Sequence, residues 1–260
     1  MDYEAQTTYR TQAFEEDEAG QAPKYGAAVD SVEQSIRLGF TRKVFGILGL
    51  QLLVTLGVIM LFSLVTPVRE YVDLSKGQGH PWVFMVGMIG SLASLLTLAC
   101  CANQARTHPN NLVFLGLFTT AESVLLGVVC AAYTLESVMF AVGVTAMLVL
   151  GLVAFASVTK QDFTGAGPYL FVALMSLLMY SVLLSFVPGL RSDLVQTGMT
   201  YLGVVLFSFY VVYDTQLILG GKHKKFQFGV DEYVFAAINI YLDIVNLFIR
   251  LLQLFGKERD

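Results

Sequence analysis

Polar residues fill the chain up to about Val44, after which long apolar runs alternate with short polar breaks. Seven runs stand out, at about 44–65, 82–102, 111–133, 138–158, 168–187, 200–219 and 233–255. Each is close to the roughly 20 residues a helix needs to cross a hydrocarbon core about 30 Å thick. The punctuation fits these limits. Pro67 and Pro81 flank the first loop, and Pro109 ends the second. Gly165, Gly167 and Pro168 open the fifth run, Pro188-Gly189 closes it, and Gly220-Gly221 closes the sixth. The link between runs three and four is only about Thr134 to Ser137, which makes those helices antiparallel neighbours. No loop is long enough to hold a separate soluble domain. The pattern predicts an all-α integral membrane protein, with a tail at 1–35 and a seven-span membrane domain at 36–260. The first run follows a long polar segment, so it is expected to anchor the chain rather than be cleaved as a signal peptide.

Composition agrees. Of 260 residues, 55% are hydrophobic and 14% are charged, against about 45–50% and 25% in soluble proteins. Mean hydropathy is +0.65. These values exclude collagen, a coiled coil, a secreted disulfide scaffold and a disordered regulator as readings of the whole chain. The net charge of −4 is a property of the tail: residues 1–33 carry eight acids and two bases, leaving twelve acids and fourteen bases elsewhere. That acidic segment lacks apolar periodicity and reads as disordered and cytosolic. No basic domain or aromatic platform points to nucleic acid. Cys100, Cys101 and Cys130 lie in or beside apolar runs, at a spacing that matches no zinc site. They read as small buried residues, with lipidation of Cys100-Cys101 a weaker alternative.

Lys and Arg set the expected orientation. With the N-terminus in the cytosol, Arg37, Arg42, Lys43, Arg106, Lys160, Lys222, Lys224 and Lys225 fall inside. Arg69, Lys76, Arg191, Lys257 and Arg259 fall outside. If the last run re-enters instead of crossing, the C-terminus is cytosolic too. The basic loop Lys222, Lys224 and Lys225, with Phe226 and Phe228, suits the anionic lipids of the cytosolic leaflet, although ordinary topology accounts for the same charges.

An ionised group at the bilayer centre costs about 2.5–3.5 kcal/mol on insertion scales, so such groups need a partner or a role. Glu122, Asp214 and Asp243 are the clear cases. No lysine lies in mid-span, which removes a retinal Schiff base. On the last run Asn239, Asp243, Asn246 and Arg250 fall within a stripe roughly 60° wide at about 100° per residue. Tyr210 precedes Asp214 by one turn, placing a phenol where it can donate to the carboxylate. At 1.5 Å per residue, Asp214 sits roughly 8 Å and Asp243 roughly 15 Å from the cytosolic boundary, so the two acids of consecutive antiparallel helices can meet. Two carboxylates in low dielectric cannot both ionise cheaply, and they share a proton. Such a pair suits a pH sensor or an oxygen site for calcium. Arg250 or Arg106 can instead close it as a salt bridge. For Glu122, Thr119 and Ser123 lie on the same face and offer local hydrogen bonds, and a structural role stands beside a place in an ion path. Gln51 and Thr55 read as interhelical glue.

Residues 35–256 resemble the lifeguard branch of the Bax inhibitor motif family. The resemblance rests on Tyr213-Asp214-Thr215-Gln216, Gly220-Gly221-Lys222-His223-Lys224, Asp231-Glu232-Tyr233 and the run Ile240 to Phe248. Arg37 to Lys43, Gln51 to Thr55, Pro109-Asn110 and Phe118-Thr119 add to it. It implies a seven-helix bundle with the last helix central, in endoplasmic reticulum or Golgi membranes. It also implies a pH-sensitive calcium leak that suppresses stress-induced cell death. The family's paired aspartates correspond to Asp214 and Asp243, and the arginine that pairs with them in bacterial members corresponds best to Arg106. Some members carry an acid in the second span; residues 82–102 have none, unless Glu122 substitutes.

The sequence therefore points to a calcium leak gated by Asp214 and Asp243, with calcium as permeant or regulatory ion and no other cofactor. A proton-coupled exchanger using the same pair is the first rival. The second is a non-conducting adaptor for cell-death regulators or other channels. No nucleophile–base pair or HExxH helix suggests an enzyme; an intramembrane aspartyl protease is the remote exception.

Overall fold

The structure is a computed structural model. It describes residues 3–74, 79–100, 107–187, 192–221 and 224–259, with side chains described from Ser31 onward except that of Ser185. Arg106 and Lys222 lie outside the described residues, as do Lys76, Cys101 and Arg191.

Eight α-helices are described: α1 (Tyr3–Leu64), α2 (Thr66–Val72), α3 (Pro81–Cys100), α4 (Asn110–Ala131), α5 (Leu135–Val158), α6 (Gly167–Phe186), α7 (Asp193–Leu219) and α8 (Tyr233–Phe255). A 3-10 turn, Thr164–Ala166, precedes α6. Seven stretches are long and apolar enough to cross a membrane, and they match the seven runs read from the sequence. The short α2, with Pro67 in its first turn, was not foreseen. The backbone of α1 also continues as helix from Tyr3, where the sequence reading expects a disordered tail. Ala, Glu and Gln recur in that segment and favour a helical backbone.

Local chemistry sets several ends. Thr134 caps α5 by accepting from Ser137 N–H, and Ser192 caps α7 by accepting from Val195 N–H. Gly220 and Gly221, at φ 60° and 119°, end α7 in backbone conformations that L side chains rarely adopt.

The last helix is the core of the bundle. It packs against α7, α1, α5 and α4, and Ile238, Ile240, Tyr241, Leu247 and Leu252 are fully buried on it. Outside this ring, α3 leans on α4 and α6 on α7. Small residues bring α3 close: a methyl built at Gly90 would stand 3.3 Å from Ala121 Cβ, and one at Gly87 3.0 Å from Leu125. The continuous 23-residue α8 is long and apolar enough to cross. Beyond it Thr134 N–H donates to Lys257 O at 3.0 Å, so the C-terminal segment lies at the α4–α5 end, opposite the α7–α8 loop.

Candidate functional site

Asp214 sits five residues before the end of α7, and Asp243 ten residues into α8. The two helices run antiparallel and bring the two carboxyl groups together. Only 4% of Asp214 and 6% of Asp243 is exposed, so bulk water does not solvate the pair. Two carboxylates this close in low dielectric cannot both ionise cheaply. Asp243 Oδ2 faces no hydrogen-bond donor among the described residues, which leaves an acceptor aimed into the protein. Such a pair can share a proton, and carboxylate oxygens suit a hard cation.

The other residues of the stripe do not converge on the pair. Arg250, seven residues and roughly 10 Å further along α8, donates to Gln253 Oε1 at 3.4 Å and lies over Gly203. No cation pairs with either aspartate among the described residues. Asn246 Nδ2 donates to Leu242 O of its own helix at 2.8 Å. Asn239 is half-buried. Tyr210 lies within electrostatic range of both carboxyls, its ring 6.2 Å from Phe207 and 6.4 Å from Tyr213. Among the described residues, no hydrogen bond joins its hydroxyl to Asp214. The stripe thus shares a face: Asp243 reaches Asp214 on α7, and Arg250 lies against Gly203 further along the same helix.

Glu122 is held across a helix boundary. Ser91 Oγ of α3 donates to its Oε2 at 2.7 Å. The local partners expected from sequence are otherwise engaged. Thr119 and Ser123 donate to the carbonyls of Leu115 and Thr119 in their own helix, the usual habit of helical hydroxyls. They also meet α1, where Gln51 Nε2 donates to Thr119 at 3.0 Å and Thr55 shares a hydrogen bond with Ser123 at 3.0 Å. Thr55 also shares one with the Tyr241 hydroxyl at 2.9 Å. Gln51 and Thr55 are interhelical ties, as their spacing suggested, and Tyr241 is the member that was missed.

A second set of unassigned residues secures the Asp214 end of α7. Arg37 of α1 donates to the carbonyls of Leu217, Leu219 and Phe228 at 2.6, 3.1 and 2.6 Å. Gln216, fully buried, accepts from Phe163 N–H at 2.8 Å and donates to Gln161 O at 2.9 Å. In the same α5–α6 loop, Asp162 accepts from Thr164 and from Lys225 N–H at 2.9 Å. Although slight desolvation by its neighbours would raise the exposed Asp162 carboxyl, the bonds from Thr164 and Lys225 and the nearby Lys224 charge hold it below its ordinary value. Lys224 Nζ donates to Gln161 O at 3.3 Å. The basic loop is therefore tied to the α5–α6 loop through Lys224 and Lys225. At the same end Lys43 stands 3.3 Å over the ring of Tyr233, whose hydroxyl accepts from Asn111 at 2.6 Å. Arg37, Gln216 and Tyr241 all lie in the motifs quoted from the sequence; nothing in spacing alone assigned them contacts.

Comparison with known proteins places this geometry. The profile of the family described as "Inhibitor of apoptosis-promoting Bax1" matches residues 37–260. Proteins of Vaccinia virus strains Lister, LC16m0 and LC16m8, each named "Golgi anti-apoptotic protein", are 35% identical to the chain over 230 residues. Those alignments cover 88% of this chain and 90% of each viral protein.

Proposed function

Because the chain belongs to the family of inhibitors of apoptosis-promoting Bax1, we propose that it suppresses cell death as a pH-sensitive calcium leak of an intracellular membrane. The Golgi is the favoured compartment, after the name of the viral relatives. The observation that carries the gating part is the buried pair of neighbouring carboxyl groups, Asp214 and Asp243, between α7 and α8. While the pair holds a shared proton, a hydrogen bond links the two helices. When the proton leaves, two negative charges face each other in low dielectric and repel, or accept a divalent cation. Proton and calcium thus compete for the same oxygens. The resulting leak lowers the calcium store, and with it the death signal. The Lys and Arg distribution supports a cytosolic N-terminus, with the tied basic loop of Lys224 and Lys225 against the anionic leaflet. Glu122, at mid-span of α4, is the candidate for a second oxygen along the path.

Calcium flux from proteoliposomes at a series of pH values tests this. Wild type should leak with a pH profile that Asp214→Asn or Asp243→Asn flattens, since neither amide carries an ionisable proton. Calcium uptake against a gradient after a pH jump would instead mark an exchanger. No flux from well-folded wild type would leave a non-conducting adaptor as the reading.

A further inference from the structure

Between α1 and α5 the bundle leaves an intramembrane cleft of 330 Å³ with α8 as its floor. Leu56 and Ile59 of α1, Val142 and Ala146 of α5, and Ile244 and Phe248 of α8 line it. Its two polar residues, Thr55 and Thr145, each donate to their own helix, to Gln51 O at 2.8 Å and Ala141 O at 2.7 Å. No charged side chain lines the cleft, and its mouth runs past the exposed Leu150.

Depth and size select the occupant. Thr55 precedes the end of α1 by nine residues, Thr145 follows the start of α5 by ten, and Ile244 precedes the end of α8 by eleven. These three helix ends lie on one side of the bundle. At 1.5 Å per residue the cleft is roughly 14–17 Å below them, half of a hydrocarbon core about 30 Å thick. With no charged side chain and two hydroxyls that already donate within their own helices, the cleft offers headgroups, ions and water little to bind. At 330 Å³ the cleft suits an occupant as slim as a single hydrocarbon chain. An empty slot would forfeit dispersion contacts along its walls.

We propose that this cleft is a binding site for one acyl chain of a membrane phospholipid, entering sideways between α1 and α5 with its headgroup left at the interface. The seated chain packs against Ile244, the residue after Asp243, and against Thr55, which holds the Tyr241 hydroxyl. It therefore touches the central helix immediately after the carboxyl that faces α7, at Ile244, Val245 and Phe248. The inference does not depend on the chain conducting calcium.

Photolabelling of the full-length protein in phosphatidylcholine nanodiscs doped with a diazirine-acyl phosphatidylcholine tests it. Bulk lipid labels residues in proportion to exposure, which is 60% and 62% for Phe171 and Val172 on α6 but only 3% and 6% for Ile59 and Phe248. A seated chain reverses that order, with Ile59, Ile244 and Phe248 labelled above Phe171 and Val172. Ala146→Phe, which fills the cleft, should abolish labelling of Ile244 and Phe248 and leave Phe171 unchanged. Should that variant fail to fold, Ala146→Leu should give a partial loss. Labelling that simply follows exposure overturns the proposal, as does cleft labelling indifferent to the filled side chain. Protection of the cleft in wild type together with a dimer mass also overturns it, in favour of a second copy on that face.

Discussion

Replacing Arg37 with Ala should loosen the C-terminal end of α7 by an amount the geometry sets. The last carbonyls of a helix lack intrahelical partners, and here Leu217 and Leu219 receive a guanidinium while Gly220 turns the chain away. The third bond, to Phe228 O, ties in the following loop. Bonds from a charged donor contribute about 1.5–3 kcal/mol each when buried. Arg37 is only partly buried, so water recovers much of that. Placing a cation at a helix C-terminus adds about 0.3–1 kcal/mol. A net local loss of about 2–4 kcal/mol follows, or roughly 30-fold to several-hundredfold in an opening equilibrium at 1.4 kcal/mol per tenfold. Amide exchange in nanodiscs reads it directly. Gly220 N–H donates to Gln216 O at 2.9 Å and Phe228 N–H to Leu217 O at 3.1 Å, so both amides should lose protection. Arg37→Lys restores the charge but not the planar fork, and should recover about half of the lost free energy. Unchanged protection in Arg37→Ala would refute the clamp. A lysine variant equal to wild type would show that charge alone suffices.

Two smaller outcomes are expected elsewhere. Tyr241→Phe and Thr55→Val each break the 2.9 Å bond between α8 and α1. A double-mutant cycle on thermal stability should return a coupling of about 0.6 kcal/mol, rising to at most about 1.7, and zero coupling would remove Thr55–Tyr241 as an energetic tie. Asp162→Ala should speed tryptic cleavage at Lys224 and Lys225 roughly fivefold, the ratio that about 1 kcal/mol produces after discounting for its exposed position. Because the folded chain holds this carboxyl below its ordinary value, its contribution is complete above the usual aspartate range near 3.9. It is lost as the pH falls through the lower folded value. Loop protection that grows on acidification would contradict the sign.

Span number and placement were legible because apolar length and proline–glycine punctuation are local properties of the chain. That Asp214 and Asp243 could meet was legible for a related reason: consecutive spans run antiparallel, and helical rise sets each depth. What escaped was everything that depends on which helices touch. A stripe on one face of α8 does not reveal that Asn246 turns back on Leu242 while Arg250 reaches Gln253. Likewise Glu122 takes its bond from Ser91, thirty-one residues away, a pairing that follows from the close α3–α4 approach at Gly87 and Gly90. Arg37 was read as one positive charge among many, since the carbonyls it serves lie about 180 residues further on.

The two polar systems on the central helix divide its faces. Tyr241 and Asp243 are two residues apart, so at about 100° per residue they point in nearly opposite directions. Tyr241 is committed to α1, with Ser123 of α4 joining through Thr55. Asp243 is committed to α7. Both ties sit where no water competes, and that is where a lost partner costs most. Shifting α8 as a body would strain both at once, whereas separating α7 from α8 parts the carboxyl groups and leaves the hydroxyl bonds intact. The buried pair of carboxyl groups lies on that separable side. The opposite side of α8 is braced by neutral hydroxyls, whose bonds do not change with pH. Under the proposed gating, a change in protonation at Asp214 and Asp243 would act on the α7–α8 spacing first, while α1 and α4 hold the central helix in place.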